Sequence, residues 1–272
     1  METEKLLILA KTYPTPSRKY VETTCVAAIN EAGQLRRLYP IPYRLLEDEH
    51  AFSKWQWVTA RVATPIGDRR PESRRADVDS ISPQETISTG KSRDWKERLT
   101  LLQPHLVPSF AALEARRQAT GETLGVLRIS RLLGLDITPL PASERDWSTE
   151  EKEKLTQDLV QPGLFDDSSK PKPRILEKIS YHFHYRYEIE TSEGTETLRH
   201  LITDWEAGEL YRKCVRDYGE DGWEAKFRQR YETEFREKDL HLVMGTVHRF
   251  PDQWLIISVV YPPIIMQQTL EL

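Results

Sequence analysis

Residues 23–44 have the sequence TTCVAAINEAGQLRRLYPIPYR, which predicts a β-hairpin near the start of the chain. Thr23–Asn30 is rich in residues that favour strands, a Glu-Ala-Gly turn follows, and the chain returns through Leu35–Tyr39. Two apolar or aromatic runs on either side, Lys5–Ala10 and Lys54–Ala63, predict further strands. The N-terminal part therefore predicts a small β-barrel or a curved antiparallel sheet.

The middle of the chain combines an arginine-rich segment with short helices. Residues 65–91 are dominated by Arg, Asp, Ser, Pro and Gly and predict a long mobile loop, because they offer too little apolar surface to bury. Helical patterns follow at 93–102 and 109–119, with a short strand at 124–129. A third helix is predicted at 148–159, whose Ser-Thr-Glu-Glu start has the layout of a capping box.

The C-terminal part begins with a strand, residues 179–189, in which apolar and aromatic side chains alternate with polar ones. A turn at 192–195 leads to a partner strand containing Leu198 and Ile202. The chain closes with a second hairpin, 240–250 and 254–261, which is predicted to turn at Pro251-Asp252.

Two amphipathic helices lie between these hairpins. Thr203 is predicted to cap the first helix, with Glu206 completing a capping box and Gly219 ending it. The second helix covers 222–236 and places an aromatic residue at every fourth position from Trp223 to Phe235.

Together these elements predict an α+β protein. An N-terminal β-barrel-like or curved-sheet domain with helical insertions is expected over 1–160, a Pro- and Gly-rich linker over 161–174, and a C-terminal domain over 175–272. In the C-terminal domain, β-hairpins are expected to pack on the two amphipathic helices.

Composition favours a cytoplasmic protein with a packed core. Of the 272 residues, 38% are hydrophobic and 30% are charged. No apolar run reaches the roughly 18–20 residues of a membrane span, and the N-terminus lacks the layout of a signal peptide. Cys25 and Cys214 stand outside any metal-binding spacing and are predicted to be core residues, so neither a metal nor a cofactor is expected.

The charge is uneven, although the total is only −4. Residues 1–131 contain 21 Lys and Arg against 16 Asp and Glu, whereas the rest contains 18 against 27. The first half is therefore the half more suited to contact a polyanion.

Tyrosine, proline and cations are interleaved in two segments of this first half, 12–20 and 36–44. Proline fixes the backbone, and tyrosine and arginine offer flat faces on which bases stack. An alternative interpretation is that the tyrosines shape turns and the arginines form a solvated rim. The predicted nucleic-acid-binding residues are Lys19, Tyr20, Arg36, Arg37, Tyr39, Tyr43, Arg44, Arg69, Arg70, Arg74 and Arg75.

Two constellations suggest metal chemistry. His200, Asp204 and Glu206 have side chains that bind Mg²⁺ or Mn²⁺, which predicts a metal-dependent hydrolase or nuclease as an alternative. The simpler hypothesis gives both acids structural roles at the start of a helix. His182 and His184 share one strand face, but the expected register places His200 on the opposite, apolar face.

The chain resembles a family of uncharacterised bacterial proteins with openings such as KTYPxPSxKYxE, followed by RLYPIPxR and RPES, and with an ending such as GTxxRxPxxW and YPP. The matching segments here are Lys11–Glu22, Arg37–Arg44, Arg70–Ser73 and Gly245–Pro263. The resemblance implies no known reaction. It does imply a small zinc site in some members, with two thiolates ahead of a D-W-E motif, but this chain has Ser192 and Thr197 about where the thiolates would be.

The leading functional prediction is a nucleic-acid-associated binding or accessory protein, and the resemblance implies a place in a mobile-element or antiphage-defence gene cluster. Its expected partner is a nucleic acid or nucleotide. Besides the hydrolase, a second alternative is a protein-interaction subunit whose arginine-rich loop docks on an acidic protein partner.

Overall fold

A computed structural model describes residues 1–160 and 174–264, and for residues 157–160 it describes the backbone alone. The fold is α+β, as the sequence predicts. The strands are β1 Glu2–Lys11, β2 Thr15–Ser17, β3 Val21–Asn30, β4 Leu35–Ile41, β5 Gln56–Ala63, β6 Ser73–Ala76, β7 Ser82–Thr86, β8 Leu124–Arg128, β9 Arg131–Pro139, β10 Tyr181–Thr191, β11 Gly194–Leu201, β12 His241–Val247 and β13 Phe250–Val260. The helices are α1 Lys96–Leu102, α2 Phe110–Thr120, α3 Thr149–Val160 and α4 Trp205–Arg228.

The N-terminal strands close into a five-stranded barrel in the order β1-β3-β4-β6-β5. The long strand β1 closes it by pairing with β5 through its first half and with β3 through its second half. A bulge between Ile8 and Ala10 bends β1 between these partners. Strands β4 and β6 run parallel, which gives the Greek-key path of the oligonucleotide/oligosaccharide-binding fold.

The C-terminal part follows the same strand path a second time. Residues 124–139 act as its first strand, because β8 pairs with β12 and β9 pairs with β10. Strand β11 follows β10, and a parallel bridge from Ile202 to Ile256 joins the end of β11 to β13. Helix α4 connects β11 to β12. We call the two units the first and the second barrel.

Successive side chains of β1 and β3 point to opposite faces of the sheet, and this explains how the two barrels pack together. Leu6, Ile8, Val26 and Ala28 point into the first barrel and form its core. Their neighbours point outward and pack on the second barrel; this shared core includes Leu7, Leu9, Ala27, Ile29, Val126, Val243 and Ile257. The outer face of β1 and β3 is therefore covered within the chain.

The helical predictions hold with two corrections, one at the cap of α4 and one after its end, where a π-helix, Gln229–Glu234, and a 3-10 turn, Phe235–Glu237, continue the chain. Gly219 has φ 69° and ψ −176° and kinks α4 between the two predicted helical segments. The first segment is capped by Asp204, whose side chain accepts from Glu206 N at 3.0 Å, and not by Thr203 as predicted. The predicted capping box at the start of α3 is confirmed, because Ser148 N and Glu151 N each donate to the other residue's side chain.

Three other segments differ from the prediction, and a fourth lies outside the described residues. Residues 65–91 contain β6 and β7, so they are part of the barrel sheet and not one continuous loop. Strand β9 was not predicted, and the last hairpin turns at His248-Arg249 and not at Pro251-Asp252. The predicted linker, apart from Arg174, lies outside the described residues, and the domain boundaries stay a prediction. Among the described residues, no helix is long and apolar enough to cross a membrane.

Gly208 on α4 allows the first barrel to pack against this helix. A Cβ atom there would lie 2.3 Å from Cδ2 of Tyr13. Tyr13 has little room to move, because its N donates to Thr203 O at 2.8 Å and its hydroxyl to Glu177 O at 2.7 Å.

Replacing Gly208 by alanine is expected to lower the free energy of unfolding by about 1–3 kcal/mol, an overpacking penalty that alanine's higher helix propensity offsets by up to about 1 kcal/mol. Urea denaturation measures the loss. In the double variant with Tyr13→Ala, the loss of stability should be smaller than the sum of the losses in the two single variants, because the clash disappears. Unchanged stability of Gly208→Ala would contradict this packing.

Candidate seam pocket between the two barrels

A concave pocket of about 320 Å³ lies where the two barrels meet, and we call it the seam pocket. The first barrel contributes the end of β1 and the loop before β5, and the second contributes the start of α4 and the end of β13. The segment around α1 closes one side. The lining residues are Lys11, Ser53, Lys54, Trp55, Trp95, Arg98, Trp205, Glu206 and Tyr261.

Three cations line this pocket. Lys11 is only 8% exposed, and its Nζ lies 3.8 Å from the centre of the Tyr43 ring and 3.4 Å from Phe52 O. Burial lowers the pKa of Lys11 to about 8. Lys54 Nζ contacts Glu206 at 3.1 Å and Val259 O at 3.0 Å.

The third cation, Arg98, contacts the rings of two tryptophans. Its guanidinium carbon is 5.0 Å from the Trp55 ring and 4.9 Å from the Trp95 ring, and its Nε donates to Ile87 O at 2.9 Å. These contacts fix the guanidinium plane against aromatic faces, as in cation–π pairs.

Backbone strain coincides with this pocket. Trp55 and Trp95 have φ of 64° and 60°, in the left-handed region that bulky side chains rarely adopt. Backbone hydrogen bonds hold both residues there, including Trp55 N to Ile8 O at 2.7 Å and Trp95 N to Thr89 O at 3.1 Å. Such strain costs about 1–3 kcal/mol per residue and is concentrated at functional sites.

Two further rings complete the aromatic lining. Trp205 stacks on Tyr13 with ring centres 5.6 Å apart, and Tyr261 lies 5.2 Å from Trp95. Trp205, Trp95 and Tyr261 are half-buried. They therefore keep part of their surface toward the pocket while their other contacts fix their positions.

Asp204 and Glu206, at the start of α4, lie close to the three cations. Asp204 is 3% exposed, and its carboxylate accepts from Glu206 N and from Val259 N. Burial raises the pKa of Asp204 to about 7, against the opposing effect of Lys54. Glu206 is exposed and forms the ion pair with Lys54.

The raised pKa of Asp204 predicts a pH-dependent stability. Because the folded carboxyl keeps its proton where the unfolded one has lost it, the free energy of unfolding should fall as pH rises from about 4 to about 7. In Asp204→Asn, which keeps the capping oxygen, this slope should be smaller. Chemical denaturation of both proteins across this range measures it, and identical slopes would contradict a protonated Asp204.

Comparisons with known proteins identify the family. The model of a domain of unknown function, DUF8757, matches residues 106–272. The chain belongs to the DUF8757 family. A second model, of domain of unknown function DUF8758, matches residues 2–104. The DUF8757 match covers α2 and every described element that follows it, and the DUF8758 match covers the first barrel.

A search of the curated proteins found no match. One solved structure that the chain resembles is titled "Structure and Conformational Change of a Replication Protein A Heterotrimer Bound to ssDNA". The identity is 10% and the TM-score is 0.24, with 97% of this chain and 65% of that chain covered. The chain thus spans slightly less than two thirds of that protein chain.

Five of the sequence-predicted arginines are occupied by contacts within the protein. Arg36 and Arg74 both pair with Glu4, at 2.8 and 3.4 Å, inside one end of the first barrel. The other three also reach carbonyl oxygens of residues after 120. Arg37 donates to Thr123 O at 3.0 Å, Arg44 pairs with Glu22 at 2.9 Å and donates to Arg174 O, and Arg70 pairs with Asp68 at 2.7 Å and donates to Thr246 O at 3.2 Å.

The other predicted residues lie at the surface or beside the seam pocket. Tyr39 is 48% exposed, and Lys19, Arg69 and Arg75 are exposed. Tyr20 is half-buried, with Lys19 Nζ 5.3 Å from its ring. Tyr43 packs against Lys11 and Trp205. The assignment of all eleven residues to nucleic-acid binding stays a prediction.

The alternative metal site does not form in the described part of the chain. No group of three His, Cys, Asp or Glu side chains there is placed to hold a metal ion. His200 opposes Tyr185 in the sheet, and its Nδ1 lies 2.9 Å from the hydroxyl of Tyr187, on the apolar face that the register predicts. Asp204 and Glu206 instead occupy the start of α4, beside Lys54.

Three of the seam-pocket residues lie in segments that the sequence analysis singled out. Lys11, Trp205 and Tyr261 belong to the KTYP, D-W-E and YPP segments, which are far apart in the chain. Lys54, Trp55, Trp95 and Arg98 belong to no motif, and only the packing of the two barrels brings them together.

Proposed function

We propose that the protein binds single-stranded nucleic acid in the seam pocket. One observation carries the proposal: three cations and four aromatic side chains line a single concave site between the barrels. Proteins that bind single strands combine these groups, because cations attract the phosphates while rings stack on the bases.

The contacts of these groups suit a preformed site. Trp205 and Tyr261 are packed on other rings, and Arg98 contacts the rings of Trp55 and Trp95, so binding a base would order few additional side chains. Lys11 Nζ contacts a carbonyl oxygen and a ring, and none of the described carboxylates lies within ion-pair distance of it. Its charge therefore remains available for a phosphate.

A single strand fits this site better than a duplex. Stacking on a tryptophan requires an accessible base face, and in a duplex both faces of an internal base are already stacked. The exposed residues of the sequence-predicted surface, Lys19, Tyr39, Arg69 and Arg75, are proposed as outer contacts for the rest of the strand.

The resemblance adds a biological setting to this proposal. It implies a bacterial protein from a mobile-element or defence gene cluster, in which nucleic acid is the expected partner. The proposed role is binding.

Fluorescence anisotropy with a labelled single-stranded 12-mer tests the proposal. We expect affinity to fall as salt rises from about 50 to 300 mM, with a log–log slope near −2 if about three phosphates are neutralised at roughly −0.7 each. A duplex of the same sequence should bind at least about tenfold more weakly. No binding at the lowest salt concentration, or equal binding of the duplex, would overturn the proposal.

A further inference from the structure

The charge balance of the seam pocket favours one kind of phosphate. Lys11, Lys54 and Arg98 supply three positive charges, and Glu206 is the one acid among the described lining residues. Asp204 lies beside them but is buried, and its raised pKa reduces its negative charge. An internal phosphodiester carries one negative charge, whereas a terminal phosphate monoester carries about 1.5 to 2 near neutral pH. A lining of net charge +2 is therefore matched by a terminal phosphate and only half matched by an internal one.

The size of the pocket points the same way. Its volume of about 320 Å³ is at the low end of the roughly 300–1,000 Å³ range of small-molecule sites, which suits one nucleotide. Lys11, at 8% exposure, lies deep in it beside Phe52 O, and Lys54 is held by Val259 O. These contacts place two ammonium groups where the innermost group of a ligand would lie.

The donor groups also suit a phosphate with three terminal oxygens. Each ammonium has three N–H donors, and Lys11 uses one in a long contact of 3.4 Å to Phe52 O. Lys54 uses donors on Glu206 and on Val259 O, so a phosphate oxygen would compete with the Glu206 carboxylate for the exposed side of this ammonium. Two charge-assisted contacts to one phosphate are stronger than neutral hydrogen bonds.

From this charge, size and donor geometry we propose that the seam pocket receives the phosphorylated end of a single strand. The terminal phosphate would contact Lys11 and Lys54, and the terminal base would stack on the aromatic lining near Arg98. The inference rests on the proposed function and adds a preference for strand ends.

Four oligonucleotides of one sequence test the preference: a 5′-phosphorylated, a 3′-phosphorylated and a hydroxyl-ended linear strand, and a circular strand. We expect one of the phosphorylated strands to bind at least about tenfold more tightly than the hydroxyl-ended and circular strands. If all four bind equally with a steep salt dependence, the end preference is wrong and the proposed function stands. If none binds at low salt, both fail.

A lysine variant ties the preference to the pocket. In Lys54→Met the affinity ratio of phosphorylated to hydroxyl-ended strand should fall close to one, whereas Lys213→Met, an exposed lysine on α4 outside the pocket, should keep it. The ratio is informative even if Lys54→Met is less stable, because partial unfolding of the protein weakens the binding of both oligonucleotides equally. An unchanged ratio in Lys54→Met would overturn the inference.

Discussion

Replacing Lys11 by methionine is expected to weaken binding of single-stranded nucleic acid by at least about tenfold, or about 1.4 kcal/mol, without loss of stability. The charged form of Lys11 is disfavoured by burial, which lowers its pKa to about 8. Methionine keeps the apolar stem against Tyr43 and Phe52 and removes the buried charge. Binding and stability should therefore change independently.

Anisotropy titrations and thermal denaturation of the same samples measure the two effects. Lys213→Met is the matched control, because it removes the same charge from an exposed position on α4. A lower melting temperature together with wild-type affinity would mean that Lys11 stabilises the barrel seam and does not contact the ligand.

Replacing Arg37 by alanine should lower stability and leave binding almost unchanged, the reverse of Lys11→Met. We expect a loss of about 3–5 kcal/mol in the free energy of unfolding and little change in affinity. Arg37 is 3% exposed, donates to Thr123 O and Oγ1 at 3.0 Å, and lies 3.7 Å from Glu72. Glu72 in turn accepts from Thr123 N at 3.0 Å. Removing the guanidinium would leave the Glu72 carboxylate buried without its cation.

Urea denaturation of Arg37→Ala and of the double variant with Glu72→Gln measures this loss. The second substitution should recover part of the stability, because it removes the uncompensated charge. Binding is measured below the melting temperature of the variant. A stable Arg37→Ala that no longer binds nucleic acid would restore Arg37 to the sequence-predicted binding surface.

Local signals in the sequence predicted much of the fold. The hairpin at 23–44, the capping box at Ser148 and the alternation in 179–189 depend on residues close together in the chain, where turn and side-chain chemistry decide the structure. Gly219 was predicted to end a helix, and its non-helical backbone, with φ 69° and ψ −176°, does separate the two helical segments of α4.

Long-range pairing could not be predicted in the same way. Strand β9 was missed although Leu133, Leu135 and Ile137 alternate with Gly134, Asp136 and Thr138. The local sequence does not show that this strand pairs with β10 or that 124–139 closes the second barrel. The parallel contacts from β4 to β6 and from Ile202 to Ile256, which define both barrels, join residues far apart in the chain.

The candidate site was even harder to predict, because it depends on contacts between residues far apart in the chain. Composition indicates that arginines and tyrosines are abundant in 36–44 but cannot show that Glu4, Glu72 and Glu22 neutralise Arg36, Arg37 and Arg44. Equally, nothing in the local sequence of Lys54 or Arg98 indicates that they face Trp205 across the barrel seam.

Photocrosslinking tests the central claim most directly. A single-stranded oligonucleotide carrying 5-iodouridine at its terminal positions is irradiated with the full-length protein, and the crosslinked residues are identified by mass spectrometry. Binding in the seam pocket predicts crosslinks to Trp95, Trp205 or Tyr261, which are lost in Lys11→Met. Crosslinks confined to Tyr20 and Tyr39 would place the strand on the outer face of the first barrel and contradict the claim.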